Sequence, residues 1–281
     1  MSPVAIEQRT LPIPDDRGLG VAYERWCFSR LLSRWAAEYR VASAMEGPID
    51  GMNGVRGVHC VGLARAGVRV LSLVEDDGSA HIARAVYARA APEKSVEVRV
   101  ADSGRLAELP PCDLVLVYQG ARPFEEGHGY LRTMARHART VLVLVTHNPD
   151  HWGLAARRAL GPARASERST TEALAPVLWD LGRVRDHVYF DAPCWPAWPP
   201  ARGASGRARS PRYVYGPERW PYFGGAGWGD ELEPALVRRP SFETAGPRVL
   251  RRAARLHAFV LDLRPRTPQA RRKLELARAG V

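Results

Sequence analysis

The sequence predicts an α/β protein built on a Rossmann-like, doubly wound sheet. Strand-like and helix-like patterns alternate five times between residues 41 and 149, an order typical of a parallel sheet with helices on both faces. Acidic and other polar residues follow the predicted strands, as expected where a ligand binds at the carboxyl ends of strands. The chain has 281 residues, of which 46% are apolar, enough to bury one large core or two modest ones.

The first half of the chain supplies five predicted strands. A helix at Tyr23–Glu38 has apolar residues at helical spacing, so we expect residues 1–40 to form a helical lead-in and residues 41–281 a single domain. The strands are predicted at Val41–Met45, Val68–Val74, Ser95–Asp102, Asp113–Gly120 and Arg139–Pro149. Helices are predicted at Val58–Ala66, Ser79–Ala91, Arg105–Leu109 (a short turn) and Gly129–Ala138.

The second half adds two strands around a long insertion. The predicted elements are a helix at Thr171–Leu181, a strand at Arg183–Asp191, a helix at Pro247–His257 and a strand at Ala258–Leu263. Residues 192–241 lie between them and are rich in Pro, Gly, Trp and Tyr without any periodicity. Long loops in compact domains are usually functional or disordered, and disordered segments are poor in aromatic residues. The insertion therefore covers a substrate, binds a partner or wraps around the domain.

A glycine-rich loop follows the first predicted strand. The stretch MEGPIDGMNGVRG, residues 45–57, holds glycines at 47, 51, 54 and 57. Glycine allows positive φ and a close approach of the backbone to a ligand. A loop of this kind between a strand and a helix indicates a cofactor site, and the alternative is a purely structural turn.

The order of elements resembles that of the class I S-adenosylmethionine-dependent methyltransferases. Three stretches carry the resemblance: Glu46-Gly47 after the first strand, Ala101-Asp102 after the third, and Pro110–Gly120 leading into the fourth. The resemblance implies a seven-stranded sheet, mostly parallel, whose last strand is antiparallel and lies between the fifth and sixth. It also implies S-adenosylmethionine as the cofactor and S-adenosylhomocysteine (SAH) as its product.

The resemblance also assigns cofactor-binding residues, with two departures from the family pattern. The family's loop alternates an acidic residue with three glycines, whereas here Gly47 follows Glu46 directly and the loop is longer. The acidic residue expected near Val74 to hold the ribose is displaced to Glu75 or Asp76. The cofactor-binding candidates are Glu46, Gly47, Asp50, Gly51, Asn53, Glu75, Asp76 and Asp102, the last against the adenine.

His147 and Tyr118 are the catalytic candidates because each follows a strand at the presumed ligand edge. A histidine titrating near neutral pH can take a proton from a nucleophile, and Tyr118 could contact a substrate. The alternatives are a structural histidine and a tyrosine that fills the rim of the cleft. His147 and His151 have i,i+4 spacing, but Pro149 opposes a helix there, so we expect no metal site.

Composition narrows the class of protein. We expect a cytoplasmic location, because no run of eighteen apolar residues, secretory signal pattern or paired cysteine spacing is present. Residues 1–150 contain 18 basic and 18 acidic residues, so the net charge of +11 lies entirely in residues 151–281. That surface could meet an anionic partner, although no nucleic-acid-binding motif accompanies it.

The sequence thus predicts a methyltransferase that acts on a small-molecule or lipid-like acceptor, and a homodimer is possible. One alternative is a non-catalytic protein of the same fold that binds a partner through its basic, aromatic C-terminal half. A weaker alternative is an RNA-modifying enzyme, although binding to nucleic acid is not expected. The two main interpretations differ in whether the chain binds the cofactor.

Overall fold

A computed structural model describes residues 16–17, 19–47, 56–91, 96–101, 103–118, 129–152, 171–190, 214–215, 247–254 and 256–264. In chain order the elements are β1 (Asp16–Arg17), α1 (Leu19–Glu38), β2 (Ser43–Glu46), α2 (Val61–Arg65), β3 (Arg69–Val74), α3 (Asp77–Ala90), β4 (Val96–Val100), a 3-10 helix (Ser103–Glu108), β5 (Cys112–Tyr118), α4 (Gly129–His137), β6 (Ala138–His147), α5 (Thr171–Leu181), β7 (Arg183–Phe190), β8 (Val214–Tyr215), α6 (Pro247–Ala253) and β9 (Leu256–Asp262).

Seven strands form one mixed sheet in the order β4-β3-β2-β5-β6-β9-β7. The pairs from β4 to β6 are parallel, whereas β9 is antiparallel to both of its neighbours, β6 and β7. The last strand of the sheet along the chain is therefore inserted antiparallel between the fifth and sixth. This arrangement confirms the predicted fold class, including the position of the antiparallel strand.

Each face of the sheet is covered by helices. On one face, α1, α2 and α3 bury residues such as Phe28, Leu32 and Trp35 of α1 against the strands. On the other face, α4 and α5 contribute Leu131, Met134 and other apolar side chains. The alternation of side chains along the buried strands supplies both cores, since successive residues of a strand point to opposite faces.

The last described helix and strand, α6 and β9, differ from the prediction in their bounds. The helix predicted at Pro247–His257 ends at Ala253, and β9 begins at Leu256, so His257 belongs to a strand. β9 is paired on both sides, with β6 and with β7. β9 gains hydrogen bonds from both neighbouring strands, and nearly all of its side chains are buried. These tertiary interactions outweigh the helical spacing that the sequence suggested.

Two short strands connect the start of the chain with the insertion. Asp16 pairs with Tyr215 and Arg17 with Val214 in an antiparallel ribbon separate from the main sheet. Val214 and Tyr215 are the part of residues 192–241 that the structure describes. Within the described ranges, no helix is both long and apolar enough to cross a membrane.

Asp113 joins the starts of the two central strands, β2 and β5. One carboxylate oxygen accepts hydrogen bonds from the backbone amides of Ala42 and Ser43, at 3.0 and 2.9 Å, and from the Ser43 hydroxyl at 3.0 Å. The Asp113 amide donates in return to Ser43 Oγ. These bonds satisfy backbone donors just ahead of β2 and hold it in register with β5.

We expect Asp113→Ala to lower the free energy of unfolding by about 2–3 kcal/mol, because it leaves partly buried donors without their charged acceptor. Chemical denaturation followed by circular dichroism measures the change. Asp180→Ala is the matched control, since Asp180 forms an exposed ion pair with Arg132 and its loss should change stability by less than about 1 kcal/mol. Equal effects of the two substitutions would contradict the assigned role of Asp113.

Candidate functional site

The strand order reverses direction between β2 and β5, and this is where open α/β sheets bind ligands. From β2 the chain goes on to β3 and β4 on one side of the sheet, while β5, β6, β9 and β7 lie on the other. β2 ends at Glu46 and β5 ends at Tyr118. These two residues therefore flank the switch point at the carboxyl edge of the sheet.

Glu46 closes the glycine-rich loop. Its side chain is fully buried, and Oε1 lies 2.9 Å from Nδ1 of His59 and accepts from the His59 amide at 3.2 Å. Oε2 accepts from the Cys60 amide at 3.1 Å. A single carboxylate thus ties the end of β2 to the residues that lead into α2. The loop of residues 47–58 begins and ends at this contact.

The glycines at the two ends of the loop are set by close packing. Gly47 donates its amide to Leu116 O at 2.8 Å, and a Cβ at Gly47 would lie 2.8 Å from the Tyr130 hydroxyl oxygen. Gly57 has φ +72°, and a Cβ there would lie 2.5 Å from Val74 Cγ1 and 2.7 Å from Ser72 Oγ. A side chain at either position would crowd its neighbours, so Gly47 lies close against β5 and α4, and Gly57 close against β3.

Glu75 and Asp76, the two ribose-binding candidates, have different surroundings. Glu75 follows β3 and forms an ion pair with Arg56 of the loop, at 2.5 Å between Oε2 and Nη1. Asp76 is the N-cap of α3, where it accepts from the amide and the hydroxyl of Ser79, each at 2.8 Å. The backbone hydrogen bond from Ser79 is the main cause of the lowered pKa of Asp76. Glu75 is thus the carboxylate that lies against the loop.

Tyr118, the first catalytic candidate, makes contacts inside the fold. Its side chain is fully buried, and its hydroxyl donates to Glu24 Oε1 of α1 at 2.5 Å. The ring stacks on His59 at a centroid distance of 4.1 Å and meets Phe28 edge-on at 4.9 Å. Tyr118 therefore joins the lead-in helix to the residues that Glu46 holds.

His147, the other catalytic candidate, ends β6 with an exposed side chain. Its neighbour Asn148 is fully buried and donates through Nδ2 to the carbonyl oxygens of Arg251 and Ala254, at 2.6 and 2.7 Å. Its Oδ1 accepts from the Asp150 amide. Asn148 thus anchors the end of α6 to the end of β6. The structure places His147 at the carboxyl edge of the sheet.

A chain of polar side chains next to β6 was missed in the sequence. His257 Nε2 lies 2.6 Å from Thr146 Oγ1, and His257 Nδ1 lies 3.2 Å from His187 Nε2. The pKa of His257 is lowered to about 3, first because the side chain is buried and then because His187 and His147 are close. The signal in the sequence was a histidine directly before the apolar run AFVLDL, which pointed to a buried polar group with partners.

Four cofactor-binding candidates lie outside the described residues: Asp50, Gly51, Asn53 and Asp102. Across the parts of the chain that the structure describes, no group of three or more His, Cys, Asp or Glu side chains could hold a metal ion. Cys27, Cys60 and Cys112 are buried and form no disulfide among the described residues. Burial, followed by the nearby Glu46 carboxylate, raises the pKa of the Cys60 thiol well above its ordinary value, which disfavours its thiolate form.

An open cavity of about 550 Å³ lies at the opposite edge of the sheet. Its lining includes Arg183, where β7 begins, and Asp262, where β9 ends. It therefore lies at the amino edge of the parallel strands, away from Glu46 and Tyr118. Because ligands of such sheets bind at the carboxyl edge, the switch point is the candidate functional site.

We expect Gly57→Ala to destabilise the protein by about 2–4 kcal/mol, since it combines a strained positive φ with a steric clash against β3. Gly67→Ala is the control, because Gly67 also has positive φ but a Cβ there meets nothing within 4 Å. Its cost should be about 1 kcal/mol. Thermal and urea unfolding of both variants measure the difference, and similar values would refute tight packing at Gly57.

We expect His257→Gln to remove part of the loss of stability in acid. Below pH 6.5 the unfolded chain binds a proton at His257, whereas the folded chain does not until about pH 3, so stability falls across that window. Between pH 7 and pH 4, the free energy of unfolding should fall by about 3 kcal/mol more in the wild type than in the variant. Urea titrations at each pH measure the gap, and a gap that stays constant would show that His257 does not titrate in this way.

No protein-family model and no curated protein matches the sequence. The chain is similar to the solved structure of magnesium protoporphyrin IX methyltransferase from Synechocystis PCC 6803 with bound SAH, at 16% identity, 60% coverage of this chain, 77% of that chain and a TM-score of 0.45. The chain is also similar to an O-methyltransferase from Bacillus cereus in complex with SAH, at 16% identity, with 58% of this chain and 73% of that chain covered and a TM-score of 0.43. A third similar structure is the plantazolicin methyltransferase BamL in complex with a triazolic desmethylPZN analog and SAH. Its sequence is 7% identical, 87% of this chain and 85% of that chain are covered, and the TM-score is 0.45.

These likenesses are distant, and the strand order decides the fold. A seven-stranded sheet whose last strand enters antiparallel between the fifth and sixth is the arrangement that the sequence resemblance implied. The chain has the class I S-adenosylmethionine-dependent methyltransferase fold.

Proposed function

We propose that the chain is an S-adenosylmethionine-dependent methyltransferase acting on a small-molecule or lipid-like acceptor. The observation that carries the proposal is the closure of the glycine-rich loop by Glu46 at the switch point of the sheet. The buried carboxylate brings the two described ends of the loop together at the point where such sheets bind ligands.

The described residues fit this cofactor. Gly47 and Gly57 have close contacts that exclude side chains, which keeps both ends of the loop near the strands. Glu75 presents a carboxylate after β3, and carboxylates accept hydrogen bonds from vicinal hydroxyls such as those of a ribose. We therefore propose that Glu75 binds the ribose hydroxyls of the cofactor, while Asp76 serves as the N-cap of α3. Asp50, Gly51, Asn53 and Asp102 complete the proposed site.

When bound, the cofactor supplies a methyl group activated by a positively charged sulfur. The chain then has to align the acceptor atom with that methyl group and to exclude water. A base is needed only for a poorly ionised hydroxyl, and His147 is the side chain we propose for that task. Its side chain is exposed at the end of β6, at the carboxyl edge of the sheet.

We expect the protein to bind S-adenosylmethionine and SAH with micromolar dissociation constants in calorimetry. Glu75→Ala should weaken SAH binding by tenfold or more, because it removes a charged acceptor worth about 1.5–3 kcal/mol. Asp76→Ala is the matched control: it should destabilise α3 by removing the cap but leave the dissociation constant within about twofold, since its hydrogen bonds are made within α3.

The outcomes separate the two main interpretations. Binding that Glu75→Ala loses and Asp76→Ala keeps supports the proposal. Absence of binding by well-folded wild-type protein would sink it, and the basic C-terminal half would then be the place to look for a partner. If Asp76→Ala loses binding instead, the ribose assignment moves to Asp76.

A further inference from the structure

The cavity at the amino edge of the sheet has an apolar floor that the fold holds in place. Leu181, Val184 and Leu263 line it, are partly buried and pack on the core beneath α5. The chain passes from α5 to β7 at Gly182, where a Cβ would lie 2.5 Å from Leu263 Cδ2 and 3.1 Å from Asp262 O. The turn therefore lies directly against the end of β9, and the floor belongs to the packed part of the domain.

Trp179 of α5 forms part of the wall of this cavity and presents its side chain to solvent. It is 76% exposed, the highest value among the large apolar side chains that the structure describes as exposed. A tryptophan ring offers a large apolar face, and burying that face against another ring is favourable. Trp179 therefore offers a stacking surface at the mouth of the cavity.

Two arginines also line the cavity, and they differ in their partners. Arg264 donates through Nε and Nη2 to Asp262, at 2.9 and 2.6 Å, and its guanidinium carbon lies 5.1 Å from the centre of the Tyr39 ring. Arg183 is exposed at the start of β7 and forms no ion pair with any residue that the structure describes. Asp262 thus balances the charge of Arg264, and the cavity keeps the positive charge of Arg183.

We propose that this cavity is a second ligand site, which binds a small planar aromatic molecule carrying a phosphate or carboxylate group. The ring stacks on Trp179, and the anionic group accepts hydrogen bonds from Arg183, whose planar fork matches either anion. β7 spans eight residues, so the cavity lies about 23 Å along that strand from the carboxyl edge. The ligand therefore binds apart from the switch point, and this inference does not depend on the proposed function.

The probe is 1-naphthyl phosphate, titrated into the isotope-labelled full chain and followed by NMR through the indole N–H signals of the tryptophans. We expect a dissociation constant of about 0.5 mM, as for an efficient ligand of this size. The Trp179 signal, identified by its loss in Trp179→Ala, should shift as the probe binds. The signal of Trp152, which is also exposed but follows β6 at the carboxyl edge, should not shift.

Two variants test the two halves of the site. Trp179→Ala removes the stacking surface and Arg183→Gln removes the charged donor, so each should weaken binding on the order of tenfold. The matched controls are Trp152→Ala and Arg248→Gln, which change exposed residues outside the cavity and should leave the dissociation constant within about twofold. The NMR signals of the ligand give the constant for each variant, and circular dichroism verifies that each one is folded.

Fragments of the probe test the ligand class. 1-Naphthol has the ring without the charge and inorganic phosphate has the charge without the ring, so each should bind at least about tenfold more weakly. Either fragment binding as tightly as the whole probe overturns the inference, as does a probe that shifts Trp152 and Trp179 alike or leaves both unshifted. Binding that Arg183→Gln leaves unchanged also refutes it. 1-Naphthoate carries a carboxylate instead, and the tighter of the two anions identifies the group that the site prefers.

Discussion

A carboxylate at the end of a buried strand must find donors for both of its oxygens, because an unsatisfied buried charge is strongly destabilising. Glu46 finds them in the residues that lead into α2, and this choice shapes the rest of the site. Its hydrogen bonds to the amides of His59 and Cys60 bring the chain back to the end of β2. The intervening loop is thereby closed, His59 is turned against Tyr118, and Tyr118 in turn holds α1 through Glu24.

The central sheet was predictable because its strands are buried on both faces. Continuous runs such as VRVLSLV and DLVLVYQG need no partner information to be recognised, and the alternation with helices implied parallel strands. The sequence did not show that His257 belongs to a strand. β9 pairs with both β6 and β7, and a local sequence pattern holds no information about a partner strand more than a hundred residues away.

The sequence predicted where the candidate residues lie along the strands, but not which side chains they contact. Residues after strands are easy to find, so Glu46, Glu75 and Tyr118 were all expected at the ligand edge. Their partners depend on tertiary contacts: Tyr118 meets Glu24 across 94 positions of sequence, and Glu75 meets Arg56 across 19. Asp76 has a local partner, Ser79, but the sequence analysis assigned Asp76 to the ribose and not to the cap of α3.

The surplus of arginine in residues 151–281 and the carboxylates at the switch point act over different distances. Exposed charges are screened within about 8–10 Å at physiological ionic strength, so the arginine surplus is a guide to long-range encounter with an anionic partner. Glu24 and Glu46 are buried and hydrogen-bonded inside the fold. Their contribution to the candidate site is therefore geometric, because their contacts fix where β2, α1 and the residues leading into α2 meet.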